Sequence, residues 1–172
     1  FPNNWISFHE DGKIIIYPMF SENRRKEKRK DIIDTLKNKG YKINEIIDLS
    51  KYENENKFLE GTGSMILDRE NRICYAAISS RTSIDLLKYF CKKINYKLIS
   101  FKAYQTFKKN RELIYHTNVM MCIAKQYAIV CLDSIDNKDE KISLKNSIIK
   151  TNKKIIEITE NQCQNFVGNM LQ

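Results

Sequence analysis

S-M-I-L-D-R-E-N-R-I-C-Y-A-A-I, residues 64–78, sets two apolar runs on either side of a short polar turn. S-M-I-L-D at 64–68 reads as a strand, Arg69–Asn71 as the turn, and I-C-Y-A-A-I at 73–78 as a second strand. The period then changes. Thr82 or Ser83 is placed to cap a helix whose Ile84, Leu87, Phe90 and Cys91 mark one face. K-L-I-S-F at 97–101 is extended again. The unit is strand, strand, helix, strand.

The same plan recurs on both sides. Upstream, an E-D-G turn enters a strand, G-K-I-I-I-Y-P-M at 12–19. Ser21 caps a helix expected over 22–39, with Ile32, Ile33 and Leu36 at helical spacing. Gly40 stops it, and I-N-E-I-I-D-L at 43–49 is a strand. Downstream, strands are expected at about 113–116, 119–124 and 127–132, followed by a helix at 139–150. Strand K-I-I-E-I at 154–158 comes next, then a short helix capped by Thr159. Helix starts near 22, 83 and 140 give a period of roughly 55–60 residues, which points to stacked or radially arranged α/β modules. One open α/β sheet is the alternative.

The bulk numbers narrow the function. At 172 residues and 42% apolar, the chain can bury a real core. It has no run of 18 apolar residues, so no membrane-spanning helix is expected. The net charge of +9 is mostly lysine, and its densest cluster, N-R-R-K-E-K-R-K at 23–30, is expected to be a solvated helix face, with no nucleic acid as partner. Five cysteines, an odd count with no C-x-x-C pair, argue against a zinc site or a disulfide framework and for buried free thiols. A cytoplasmic setting without metal or cofactor follows as an expectation. The opening F-P-N-N-W has no Met, and the chain is expected to begin inside a longer protein.

Three stretches carry candidate chemistry. F-L-E-G-T-G at 58–63 ends an apolar run on Glu60, beside glycines that let a backbone approach closely or adopt positive φ. S-S-R-T-S at 79–83 places Arg81 between a strand end and a helix start, where it can hold a carboxylate. I-Y-H-T-N-V-M-M at 114–121 reads as a strand, so His116 and Asn118, two apart, would share a face. An imidazole moves protons, and an amide both donates and accepts.

These pieces, in this order, resemble the amidinotransferase/arginine deiminase (pentein) superfamily, most closely its citrulline-hydrolase-like branch. The resemblance runs through F-P-N-N-W at 1–5, Y-P-M at 17–19, N-R-R at 23–25, F-L-E-G-T-G at 58–63, S-R-T at 80–82, Y-H-T-N-V-M-M at 115–121 and G-N-M-L at 168–171. It implies a five-module α/β propeller, of which residues 1–172 would be a single-domain fragment of about three modules.

It also implies a chemistry: a thiolate attacks the carbon of a guanidino or ureido amino acid, and a histidine transfers protons. By position His116 matches that general acid/base, Glu60 its acidic partner and Arg81 the arginine that binds a substrate carboxylate. Where arginine deiminases carry aspartates that clamp the guanidinium, this chain has Asn4 and Asn118. Two amides suit a neutral ureido group better than a cation. A citrulline-type substrate is therefore expected, with a guanidino deiminase or amidinotransferase, or a non-catalytic binding remnant, as alternatives. None of the five cysteines matches the family's nucleophile, which is expected past the chain's end, so the isolated chain should be inactive. Homo-oligomer formation is left open.

Overall fold

The computed structural model describes residues 2–29 and 31–170. Phe1 of the first motif, Lys30 of the charged run and Leu171 of the last motif lie outside the described residues.

After a 3-10 turn at Pro2–Asn4, β1 (Ile6–Phe8) pairs antiparallel with β2 (Lys13–Ile16). The chain then crosses over through α1 (Glu22–Arg25) and α2 (Asp31–Asn38) to β3 (Glu45–Asp48), parallel to β2. The second unit begins with a single helical turn, α3 (Gly61–Ser64). Its strands β4 (Ile66–Asp68) and β5 (Ile73–Ala77) are antiparallel, and α4 (Ile84–Ile94) leads to β6 (Lys97–Phe101), parallel to β5. A hairpin, β7 (Tyr104–Phe107) and β8 (Asn110–Leu113), stands between units. The third unit repeats the pattern with β9 (Met121–Ile123), β10 (Tyr127–Val130), α5 (Lys138–Ile149) and β11 (Lys154–Glu157), and α6 (Glu160–Gln164) follows. The result is a mixed α/β fold built on several small sheets, and in each three-stranded sheet the second strand is central.

The central strands explain the continuous apolar runs. Both faces of β5 are covered, so Ile73, Cys74, Tyr75, Ala76 and Ala77 are all buried. Alternation sends Ile73, Tyr75 and Ala77 into the core shared with the third unit, and Cys74 and Ala76 into the core shared with α4. β2 divides its neighbours likewise: Ile15 joins the α4 core, while Ile14 and Ile16 pack with Trp5, Met19 and Ile33. Three cores are thus threaded by two strands, which fixes the sheets relative to one another.

Two elements depart from the sequence expectation. The 22–39 helix is broken into α1 and α2. The charged run between them is not simply a solvated face: Arg25 and Lys28 both pair with Glu53, and Arg25 Nε donates to Met19 O at 3.0 Å. Side chains drawn inward to carboxylates and carbonyls compete with a continuous helix whose like charges repel at i, i+4. Past the break, α2 ends as Gly40 predicts. Gly40 lies at φ 83°, its N–H bonds Lys37 O, and Tyr41 N–H bonds Leu36 O.

The hairpin has no counterpart in the expected elements, and 113–116 is not a strand apart from β8's last residue. Its turn puts Lys108 and Lys109 at φ 45° and 69°, positions normally marked by Asn or Gly. Arg111 docks the hairpin by pairing with Asp136 and Glu160.

Candidate active site

Glu60 ends the extended run before α3 and is fully buried. Its position is set from three directions. Its own N–H bonds Ser64 Oγ at 2.9 Å, and that hydroxyl donates to Arg81 O at 2.8 Å. The Phe20 N–H donates to Oε1 at 2.9 Å. Oε2 lies 2.6 Å from His116 Nε2. Two guanidinium groups face the same oxygen, Arg81 Nη1 at 3.6 Å and Arg24 Nη1 at 4.0 Å. Burial alone would raise the Glu60 carboxyl. The His116 and Phe20 hydrogen bonds, with the charges of His116 and Arg81, outweigh it and hold the group below its usual range.

His116 is buried and extended, at φ −133° and ψ 138°, but the next residues form a 3-10 turn, Thr117–Val119. Strand alternation therefore does not operate here, and the expectation that His116 and Asn118 share a strand face is corrected. Thr117, which alternation would send to the opposite face, is the anchor: its hydroxyl donates to Ser64 O at 2.5 Å and accepts from Ala77 N–H at 2.8 Å. The end of β5 and the end of α3 thus clamp the residue beside the histidine. Asn118 lies half-buried in the turn and makes no hydrogen bond to another described residue.

Asn4 is buried, and Gly63 brings it to the histidine. A Cβ on Gly63 would sit 3.0 Å from the His116 ring and 3.1 Å from Asn4 Oδ1. At Gly61, φ is +45° and a Cβ would fall 2.2 Å from Asn3 O. The glycines of E-G-T-G therefore serve close approach of the site's own backbone. Asn3 Nδ2 reinforces the contact by donating to Thr62 Oγ1 at 3.0 Å.

So Asn4, Glu60, Arg81 and His116, distant in sequence, come together, and Asn118 follows His116 by two residues in the 3-10 turn. The sequence reading did not single out Arg24, Ser64, Thr117 or Phe20. Arg24 was hidden in the charged run, and Phe20 acts through a main-chain N–H that carries no side-chain signal. All five cysteines are buried, and Cys163 Sγ donates to Val119 O at 3.2 Å. Among the described residues no group of three His, Cys, Asp or Glu could hold a metal, and no helix is long and apolar enough to cross a membrane.

A buried carboxylate holding an imidazole, at the end of this set of small sheets, meets a family match over residues 1–172: the eukaryotic N,N-dimethylarginine dimethylhydrolase model. The chain belongs to this family. With it comes membership of the pentein, or amidinotransferase, superfamily. Solved structures agree on the fold of this dimethylhydrolase-family chain. The arginine dihydrolase ArgZ of the cyanobacterial ornithine-ammonia cycle, in its apo form, superposes with a TM-score of 0.71 at 17% identity, over 100% of this chain and 25% of that one. Unliganded AgrE gives 0.67 at 22% identity, over 99% of this chain and 23% of that one. The C. jejuni agmatine deiminase with substrate bound gives 0.53 at 18% identity, over 91% and 49%. The chain thus spans about a quarter of the ArgZ and AgrE chains. A comparison with curated proteins gave no match.

Proposed function

We propose that residues 1–172 carry the proton-transfer and substrate-orienting part of a C–N hydrolase acting on the guanidino group of an amino acid. The observation that carries this reading is the 2.6 Å contact between His116 Nε2 and the buried Glu60 Oε2. With Nε2 committed to the carboxylate, Nδ1 is the ring nitrogen left to move a proton. In the proposed reaction a thiolate attacks the guanidino carbon. The C–N bond breaks, and the amine leaves with a proton from His116. A water, deprotonated by His116, then releases a ureido product and restores the thiolate. Glu60 orients the imidazole through its contact with Nε2. Arg81 would receive the substrate carboxylate, and the amides of Asn4 and Asn118 would meet the reacting group. The reading assigns the nucleophile to none of the five buried thiols and takes it from outside residues 1–172. It treats the three sheets as modules of a five-module propeller, working on a small molecule in the cytoplasm.

The family's named substrate and those of the structural relatives support a guanidino group. One observation favours a ureido group as the second reading: Asn4, an amide rather than a carboxylate, is buried beside His116 across Gly63. The test is kcat/KM of the full-length protein for N,N-dimethyl-L-arginine, L-arginine and L-citrulline. Preference for a guanidino substrate supports the first reading and preference for citrulline the second. Turnover of none overturns both. Replacing Asn4 and Asn118 together by Asp should move the ratio toward guanidino substrates by about tenfold or more, since each charge-assisted bond is worth roughly 1.5–3 kcal/mol. An unchanged ratio would make both amides structural.

A further inference from the structure

The hydrolase reading leaves Arg81 with two candidate partners, Glu60 and a substrate. Its Nη1 stands 3.6 Å from Glu60 Oε2, beyond the roughly 2.7–2.9 Å of a charge-assisted hydrogen bond. The guanidinium makes no hydrogen bond to any described residue, and the side chain is 27% exposed. What holds it is aromatic. Its Cζ lies 4.9 Å from the Tyr115 ring centroid and 5.5 Å from that of Phe20. Both aromatic residues are exposed, Tyr115 at 44% and Phe20 at 42%, so they stand at the solvent side of the buried Glu60.

Each ring is itself fixed. Phe20 meets Phe58 edge-on at 5.2 Å, and its carbonyl is bonded by Arg25 Nη2 at 3.3 Å. The Tyr115 ring meets the His116 ring, tilted, at 4.9 Å between centroids, and its carbonyl accepts from Ser79 Oγ at 2.7 Å. A guanidinium over two aromatic rings at these distances is attracted through the ring faces, which uses none of its N–H donors.

We propose that Phe20 and Tyr115 are positioning residues, which hold the Arg81 guanidinium off Glu60 with its donors available to the carboxylate of an amino-acid substrate. The pair thereby selects α-amino acids over their decarboxylated amines. This rests on the hydrolase reading, and its test separates the two.

The experiment uses the full-length protein and whichever of L-arginine, N,N-dimethyl-L-arginine or L-citrulline it turns over best, paired with the corresponding decarboxylated amine. Tyr115→Leu and Phe20→Leu, which keep the backbone N–H, should each raise KM for the amino acid about tenfold, with kcat within about twofold. KM for the amine should not move. Tyr115→Phe, which keeps the ring face, should restore the wild-type KM. An amino-acid KM that stays within about twofold of wild type, or an equal rise for acid and amine, overturns the proposal. Calorimetric binding of the same ligands covers the case without turnover. Tenfold weaker amino-acid binding by Tyr115→Leu would then support the clamp and overturn only the hydrolase reading. Wild-type binding that does not depend on the carboxylate overturns the clamp.

Discussion

The chain has two histidines, and they sit in opposite chemical settings. His116 meets a buried carboxylate at 2.6 Å. His9, just past the end of β1, meets a hydroxyl: its Nε2 is 3.0 Å from Ser7 Oγ, which is 2.6 Å from Tyr17 OH. Burial and the charges of Arg69 and Lys13, only partly offset by Asp11, lower His9 to about 4, so it is neutral at neutral pH. Burial likewise pushes the Tyr17 phenol up. The two sites lie at opposite ends of β1, with Asn4 in the 3-10 turn before it and His9 just after it.

The difference teaches what makes an imidazole useful. Each ring lies against an aromatic neighbour, Tyr115 for His116 and Phe90 for His9, and each has a hydrogen-bond partner. Only His116 has a carboxylate as its hydrogen-bond partner, which fixes the ring through Nε2 and leaves Nδ1 to take and return a proton. The His9–Ser7–Tyr17 chain has no carboxylate in it, and it ties the end of β1 to the residue after β2.

The largest expected effect breaks the comparison if it fails. In the full-length protein, His116→Ala or Glu60→Gln should lower kcat/KM by about 10²–10⁴-fold. His9→Gln should change it by less than about threefold, as a substitution away from the site. Similar losses at both histidines would erase the distinction.

Gly63→Ala probes the geometry more gently. The new Cβ would stand 3.0 Å from the His116 ring, so the ring or the Asn4 amide must shift. A kcat reduced about 10–100-fold with unchanged circular dichroism is expected. An unaffected kcat would show that the 2.6 Å contact tolerates displacement.

The smallest effect is in stability against pH. His9 has a folded value near 4, below its ordinary 6.5, so between these the unfolded chain binds more protons. Stability should therefore fall as pH drops through that window, by about 1 kcal/mol between pH 7 and 5 after allowing for solvent screening. His9→Gln should flatten the slope, read from denaturant midpoints. Glu60, held below its usual range, adds stability above that range and loses it only as pH falls through its lowered value, so its loss comes at lower pH than that of His9. An identical slope in wild type and His9→Gln would assign the acid sensitivity elsewhere.

Much of this was legible in the sequence because it depends on local patterning. Apolar runs such as I-C-Y-A-A mark central strands, Gly40 marks a helix end, and the strand–strand–helix–strand period marks the repeated units. Glu60, Arg81 and His116 stood out because polar residues at the ends of apolar runs and beside glycines are few, whereas Asn4 was named only through the family resemblance. The hairpin was not legible, since Lys108 and Lys109 take left-handed positions without the residues that announce them.

The tertiary structure alone decided that Asn118 does not share a strand face with His116, because hydrogen bonds from Thr117 to the ends of α3 and β5 replace the strand with a turn. It alone separated the two histidines. Sequence specifies which groups can ionise. Whether an imidazole faces a carboxylate or a hydroxyl depends on residues 56 positions away in one case and two in the other, and only the packing of the sheets brings the distant one within reach.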